Sequence, residues 1–230
     1  MAPGGAILRR RWWEWEPLFP IVSDDTALLV IDMQNAFLEE GAPLRVPMAC
    51  GQVSQIQGLC DACRSLDVPV VFSAFYVDAM ATPRFYWNRA CERGLDLLGS
   101  DYLAINHPET QIDARLGPLP GDHLIYKVGY DCFAYTGLDN LLRQMERRTL
   151  IMCGTVVNWC VDSTLRRAFH LGYRCCVVAD AVSGYDHAGL SGEQWVSSEL
   201  DFFAEALGRV EDSGSIIQTL HLGEPSTSGK

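Results

Sequence analysis

The stretch LIMCGTVVNWCVDSTLRRA at residues 150–168 combines an apolar run, a small turn at Gly154-Thr155 and an amphipathic segment. This order predicts a buried strand that turns into a helix beginning at Cys160. Unpaired backbone N–H groups and the positive end of the helix dipole favour an anion at such a position. We therefore expect Cys160 to be a nucleophile, with a pKa lowered from the free-thiol value of about 8.5.

The same alternation of strand and helix patterns extends outward from this stretch. Apolar runs that predict strands lie at residues 26–32, 68–74, 123–127, 149–154, 174–180 and 209–210. Helical patterns lie at residues 48–66, 136–147, 160–171, 189–207 and 212–221. Strands alternating with helices specify a parallel sheet covered on both faces. The sequence therefore predicts a three-layer, doubly wound α/β fold in a single domain at residues 23–222.

Three other regions depart from this alternation. Residues 1–22 form an aromatic extension that includes three tryptophans, and we expect it to pack on its own domain or on a neighbouring subunit. Residues 75–123 are irregular and aromatic, as is typical of loops that form the walls of a site. Residues 223–230 are small and polar, so we expect a disordered tail there.

The composition narrows the possible partners and compartments. The net charge of −11 over 230 residues argues against nucleic acid or anionic membranes as partners. Nine cysteines in a chain that is 48% hydrophobic indicate a reduced, cytoplasmic protein rather than a disulfide scaffold. No stretch resembles a signal peptide or approaches the roughly 20 apolar residues of a membrane span.

Cys60 and Cys63 form a CxxC pair without a second ligand pair, so we expect packing there rather than metal binding. We expect the partner to be a small-molecule substrate.

An acid, an amine and a thiol lie at strand ends of the predicted sheet. Asp32 ends the first strand, Lys127 ends the third and Cys160 follows the fourth. Ligands bind beyond the carboxyl ends of parallel strands, near the point where the strand order reverses. Asp32 could accept the thiol proton and return it to a leaving amine, while Lys127 stabilises the thiolate. An oxyanion would lie against backbone N–H groups between Val157 and Cys160, which completes a site for acyl transfer.

Three motifs of the chain resemble those of the cysteine hydrolases of the isochorismatase-like superfamily. They are TALLVIDMQNAF at 26–37, KVGYDCFAYTGLDNLLR at 127–143, and GTVVNWCVDSTLRRAFHLGY at 154–173 with VVADAV at 177–182. The resemblance implies a six-stranded parallel sheet and an Asp-Lys-Cys triad at Asp32, Lys127 and Cys160. One departure is Ala36, where the family usually has an aspartate.

The resemblance also implies the geometry of an oxyanion hole and an assembly. A cis peptide bond would join Thr155 to Val156 and turn N–H groups toward the oxyanion. The oxyanion hole would then comprise Thr155, Val156, Val157 and Cys160. Relatives are homodimers or homotetramers, so we expect one of these states here.

The resemblance further narrows the reaction. Superfamily members that hydrolyse the vinyl ether of isochorismate lack the nucleophilic cysteine, so Cys160 favours C–N cleavage through a thioester. Members acting on nicotinamide carry a metal-binding Asp and His after the second strand, where this chain has SAFYVDAM. We therefore expect no metal and no other cofactor. The motif at residues 154–166 is most similar to that of hydrolases of ureido compounds, such as biuret, ureidoacrylate or N-carbamoyl amino acids.

Several residues near the predicted strand ends are candidates for substrate contact, and two other functions stay open. The candidate binding residues are Gln34, Phe37, Tyr86, Trp87, Asn158, Trp159 and Gln194. One alternative is vinyl ether hydrolysis driven by Asp32 alone. The other is a catalytically silent scaffold that uses its aromatic segments to bind a partner.

Overall fold

The computed structural model describes residues 10–92, 94–97 and 101–222, except for the side chain of Trp87. Within these residues, one sheet of six parallel strands forms the centre of the molecule. The strands are β1 (Thr26–Ile31), β2 (Val70–Phe75), β3 (His123–Lys127), β4 (Thr149–Thr155), β5 (Arg174–Ser183) and β6 (Arg209–Glu211). The helices are α1 (Asn35–Leu38), α2 (Pro47–Cys50), α3 (Val53–Ser65), α4 (Arg84–Glu92), α5 (Leu138–Gln144), α6 (Asp162–His170), α7 (Gly192–Ala206) and α8 (Ser213–Leu222).

The strand order is β3-β2-β1-β4-β5-β6, so the order reverses between β1 and β4. These two central strands pair in parallel along their length, and Ile31 lies opposite Gly154. The loops that follow β1 and β4 therefore leave the same edge of the sheet in different directions and open a crevice between them.

Apolar side chains cover both faces of the sheet. On β1, Leu28 and Val30 point to one face, where they pack with α2, α3 and α8. Leu29 and Ile31 point to the other face, which α5, α6 and α7 cover. All six residues of β1 are buried, as expected for a central parallel strand. The predicted three-layer α/β fold is confirmed.

The structure differs from the predicted elements in three places. The predicted helix at residues 48–66 is two helices, α2 and α3, with a break at Gly51. The irregular region at residues 75–123 contains the helix α4, which the pattern did not indicate. The helix expected to begin at Cys160 begins instead with a π-helical turn at Val157–Val161, which continues directly into α6.

The described part of the aromatic extension packs on its own domain. The N–H group of Trp12 donates to Oδ1 of Asp201 on α7 at 2.9 Å, and Arg11 pairs with the same carboxylate at 3.2 Å. Arg11 also donates to Oγ of Ser197. The expected disordered tail at residues 223–230 lies outside the described residues.

Candidate active site

The three residues expected to form a triad lie together at the edge of the sheet where the strand order reverses. Asp32 follows β1 and adopts a left-handed backbone conformation with a φ of 51°. Lys127 is the last residue of β3, two strands away. Cys160 lies in the π-helical turn that follows β4.

The ammonium group of Lys127 joins the other two residues. Its Nζ lies 2.6 Å from Oδ2 of Asp32 and donates to Sγ of Cys160 at 3.3 Å. It also donates to the carbonyl of Gly129 at 2.9 Å. A lysine ammonium has three N–H donors, so these contacts use all of them. The side chains of Asp32 and Lys127 have no exposed surface, so each charge depends on the other for stabilisation.

Ser73 on β2 supports the carboxylate of Asp32. Its Oγ donates to Oδ1 of Asp32 at 2.6 Å, and its carbonyl accepts the backbone N–H of Asp32 at 3.2 Å. The two Asp32 oxygens thus have different partners, a hydroxyl on one side and an ammonium on the other. The sequence analysis did not identify Ser73, although a polar residue inside the apolar run VVFSAF was a usable signal.

The expected direction of the pKa shift of Cys160 is wrong. Burial raises the pKa of this thiol well above its ordinary value. Lys127 acts in the opposite direction, but the carboxylate of Asp32 raises the pKa further by its charge and by a hydrogen bond. Burial alone would lower the pKa of Lys127, yet the charge of Asp32 acts in the opposite direction and the pKa is raised. The resting site therefore holds a neutral thiol beside an ammonium ion.

The turn that carries Cys160 begins at a residue that only glycine can occupy without strain. Gly154 has a φ of +115°, and a Cβ atom there would lie 2.1 Å from the carbonyl oxygen of Ile31. The next peptide bond, between Thr155 and Val156, is cis, as the resemblance implied. Oγ of Ser183 donates to Oγ1 of Thr155 at 2.7 Å and ties this turn to β5.

Backbone hydrogen bonds inside the turn restrict which amides can face a ligand. The N–H groups of Trp159 and Val161 both donate to the carbonyl of Val156, at 3.1 and 3.2 Å. The N–H groups of Trp159 and Val161 are thus occupied within the turn, and the expected oxyanion donors at Thr155, Val156, Val157 and Cys160 stay a prediction.

A cavity of about 310 Å³ opens above Cys160. Phe37, Tyr86 and Trp159 line it, in agreement with their expected position. Its other lining residues are Pro43, Leu44, Arg45, Val46, Phe75, Ala90, Leu95, Leu97, Tyr130, Thr155, Val156, Cys160 and Tyr185. The sequence analysis missed Arg45, Tyr130 and Tyr185, which come from three separate loops and share no spacing that would mark them.

Two glutamines expected at the cavity lie elsewhere. Nε2 of Gln34 donates to the carbonyls of Phe75 and Thr110 at 2.8 and 2.9 Å, and its Oε1 accepts the N–H of Phe75. Gln34 thus links loops, and its amide has no group directed at a ligand. Gln194 forms a capping box with Ser191 at the start of α7. The predicted substrate contacts of Gln34 and Gln194 are corrected accordingly.

Asn158 also lies outside the cavity lining, and the side chain of Trp87 lies outside the described residues. Nδ2 of Asn158 lies 3.1 Å from Nε2 of His187. The imidazole of His187 stacks between the rings of Tyr185 and Trp195, with centroid distances of 4.5 and 4.8 Å. Nδ2 of Asn158 is thus engaged with this stack, and the predicted substrate contact of Asn158 stays a prediction.

Two kinds of feature are absent from the described residues. No group of three or more His, Cys, Asp or Glu side chains in that part of the chain is arranged to hold a metal ion. None of the helices described there combines the length and hydrophobicity that a membrane span requires.

Comparisons with known proteins agree with this architecture. The isochorismatase domain profile matches residues 26–198. The chain is 32% identical over 210 residues to the ureidoacrylate amidohydrolase of Variovorax paradoxus (strain S110). This match covers 81% of this chain and 83% of that protein. It is 34% identical over 171 residues to the ureidoacrylate amidohydrolase of Pseudomonas syringae pv. syringae (strain B728a), with coverage of 68% and 70%.

A solved structure shows the same fold. The crystal structure of a cysteine hydrolase from Pseudomonas syringae pv. phaseolicola 1448A superposes with a TM-score of 0.78 at 30% identity. The match covers 88% of this chain and 96% of that chain. Since the domain profile also spans more than half of the sequence, this chain belongs to the isochorismatase family.

Proposed function

We propose that this protein hydrolyses the C–N bond of a small amide or ureido compound through a covalent intermediate on Cys160. The observation that carries the proposal is the position of the Lys127 ammonium, 2.6 Å from Asp32 and 3.3 Å from Cys160 at a cavity that the thiol lines. A nucleophile, a proton acceptor and a cation thus meet where a small molecule can enter.

In the first half of the proposed reaction, Asp32 acts as the general base. The raised pKa of Cys160 means that the thiol must lose its proton as its sulfur attacks the carbonyl carbon. Asp32 accepts that proton, while Lys127 stabilises the charge that develops on the sulfur. The oxyanion is stabilised by N–H groups of the turn, with those of Thr155, Val156, Val157 and Cys160 as the candidates. Asp32 then protonates the leaving nitrogen, and the C–N bond breaks to release ammonia or a small amine.

In the second half, water replaces the amine. Asp32, again a carboxylate after it has given up its proton, accepts a proton from a water molecule that attacks the thioester carbonyl. The C–S bond breaks as Asp32 returns this proton to the sulfur, and the acid product leaves. Both halves of the reaction need the carboxylate of Asp32. The hydroxyl of Ser73 holds this carboxylate in place through Oδ1.

The relatives support a ureido compound as the substrate. Two of them are ureidoacrylate amidohydrolases, and an N-carbamoylsarcosine amidase from Thermoplasma acidophilum shares the fold with a TM-score of 0.65 at 23% identity. The cavity of about 310 Å³ has the size of a small-molecule site and is lined mainly by apolar and aromatic side chains. A planar ureide can stack against such walls.

The proposal is tested by ammonia release from ureidoacrylate, biuret and simple carboxamides. We expect release from at least one ureide, unchanged by a metal chelator, and a loss of about 10⁴-fold or more in Cys160→Ala. Circular dichroism and a denaturation curve check that the variant stays folded. Cys91→Ala is the matched control, because that thiol is exposed and does not line the cavity.

Two outcomes would contradict the proposal. Ammonia release that survives Cys160→Ala would exclude the covalent intermediate, and hydrolysis of an isochorismate-type vinyl ether that survives the same substitution would favour the reaction driven by Asp32. Absence of hydrolysis with every substrate, together with no preferential alkylation of Cys160 by iodoacetamide, would favour a catalytically silent scaffold.

A further inference from the structure

The cavity above Cys160 carries a single charged side chain among its lining residues in the described part of the chain. That residue is Arg45. The neighbouring walls are neutral, and Phe37, Tyr86 and Tyr130 are among their aromatic side chains. Because the other lining groups are uncharged, Arg45 determines which charge a ligand can place there.

The backbone around Arg45 is held in place. Its N–H donates to the carbonyl of Ala42 at 3.0 Å, and the next residue, Val46, donates its N–H to the carbonyl of Phe37 at 2.8 Å. Val46 is buried, with 3% of its surface exposed. Pro47 then begins α2. These contacts fix the backbone from which the Arg45 side chain extends to the cavity.

No carboxylate of the described residues lies within ion-pair distance of the Arg45 guanidinium. Other arginines of this acidic chain do have acidic partners. Arg64 pairs with Asp122 at 2.7 Å and Arg115 with Asp113 at 2.6 Å. In a protein with a net charge of −11, a guanidinium left without such a partner at a cavity is suited to an incoming anion.

We propose that Arg45 determines specificity by binding the carboxylate of an anionic substrate whose carbonyl group lies at Cys160. A guanidinium binds a carboxylate through two parallel N–H···O bonds, which fixes the orientation of the ligand as well as its position. The aromatic walls then hold the planar part of the substrate between its two ends. This inference rests on the proposed C–N hydrolysis and adds to it the class of substrate, a linear ureido acid rather than a neutral ureide.

The test compares an anionic substrate with a neutral one of nearly the same shape. We would measure kcat/KM for 3-ureidopropionate and for its methyl ester in the wild type, Arg45→Gln, Arg45→Lys and Arg148→Gln. Arg148 is the matched control, because its side chain is 79% exposed at the opposite edge of the sheet.

We expect Arg45→Gln to lower the ratio of kcat/KM for acid over ester by roughly 10- to 100-fold, as for the loss of a charged hydrogen-bond pair. Arg45→Lys keeps the charge but not the two parallel hydrogen bonds, so its ratio should lie between those of the wild type and Arg45→Gln. Arg148→Gln should leave the ratio within about 2-fold of the wild type. An Arg45→Gln ratio equal to that of the wild type would overturn the inference.

A binding measurement separates this inference from the proposed reaction. Calorimetric titration of 3-ureidopropionate into Cys160→Ser protein, with and without Arg45→Gln, reports on the carboxylate contact without any turnover. Binding that weakens at least about 10-fold with Arg45→Gln supports the role of Arg45 even if no hydrolysis is found. Absence of binding, or binding that does not depend on Arg45, overturns it even if the enzyme hydrolyses neutral ureides.

Discussion

Strand β1 has an aspartate at each end, and the two aspartates lie in opposite environments. Asp25 precedes the strand and contacts the guanidinium groups of Arg174 and Arg148, the latter at 4.0 Å. Asp32 follows the strand and contacts Lys127 at 2.6 Å. The side chains of Asp25, Arg174 and Arg148 are 18%, 36% and 79% exposed, whereas those of Asp32 and Lys127 are fully buried.

This difference shows that burial, rather than the presence of an ion pair, distinguishes the proposed catalytic pair from a surface contact. Exposed pairs contribute little because water already stabilises each charge. A buried pair loses that solvation, so each partner depends on the other and its protonation is coupled to its neighbours. The groove at the Asp25 edge is open and lined by several charged residues, whereas the cavity at the Asp32 edge is aromatic.

The largest expected effect comes from removing the buried cation. Lys127→Met would leave the Asp32 carboxylate buried without a counter-ion, so we expect a loss of about 3–5 kcal/mol in the free energy of unfolding. Activity should fall by about 10³-fold or more, because the thiolate loses its stabilising charge. Urea denaturation and ammonia release measure the two effects. The double variant Asp32→Asn/Lys127→Met should recover much of the stability and none of the activity. A Lys127→Met variant as stable as the wild type would contradict the distinction between the two ends of β1.

A smaller effect is expected from the backbone at the same edge. Gly154→Ala places a Cβ atom against the carbonyl of Ile31, so we expect a loss of about 3–4 kcal/mol in stability. Gly172→Ala is the matched control at the opposite edge, since its φ of +88° is also left-handed but no atom lies within 4 Å of the added Cβ. Backbone strain alone should cost that variant about 1–2 kcal/mol. Equal losses in the two variants, measured by urea denaturation, would show that the close contact with Ile31 is relieved by movement.

The pH dependence of stability tests the raised pKa of the Cys160 thiol. The folded-state pKa of Cys160 is raised, whereas an unfolded thiol ionises near about 8.5. Above that pH the folded state binds more protons than the unfolded state, so this residue's contribution declines by up to about 1.4 kcal/mol per pH unit. Lys127, whose pKa is also raised, keeps its stabilising proton over this range. Denaturation curves at pH 7.5, 8.5 and 9.5 should show a steeper decline in the wild type than in Cys160→Ser, and parallel declines would contradict the assigned direction.

The smallest effects are expected at the exposed end of β1. Asp25→Asn should cost about 1 kcal/mol, since Oγ1 of Thr149 still donates to the side chain and water replaces the arginine contacts. Arg148→Gln should change stability by less than about 0.5 kcal/mol. Activity should stay at the wild-type level in both variants. A loss in Asp25→Asn as large as that in Lys127→Met would remove the distinction between the two ends.

Much of the architecture could be predicted because it depends on local pattern. The apolar runs marked all six strands, and Asp32, Lys127 and Cys160 could be placed at one edge from the ends of those runs. The position of Arg45 could not be predicted in this way, because the cavity forms where loops of unrelated sequence meet. Gln34 was misplaced because a polar residue after a strand can face either a ligand or a neighbouring loop, and only tertiary contacts decide between them.

The pKa of Cys160 illustrates a second limit. The helix dipole is a local property and argued for a lowered value, whereas burial and the carboxylate of Asp32 are tertiary properties that argue for a raised one. Local reasoning therefore placed the proposed nucleophile but predicted the wrong direction for the shift of its pKa.

The wide separation of the site residues along the chain has a consequence for biosynthesis. Asp32 and Cys160 are separated by more than half of the chain, and β3 with Lys127 must dock outside β2 before the ammonium can reach either of them. Contacts of such long sequence range form only when most of the sheet has assembled. A ribosome-bound chain that ends before β4 therefore has no nucleophile, and recovery of turnover after refolding is a strict measure of completed assembly.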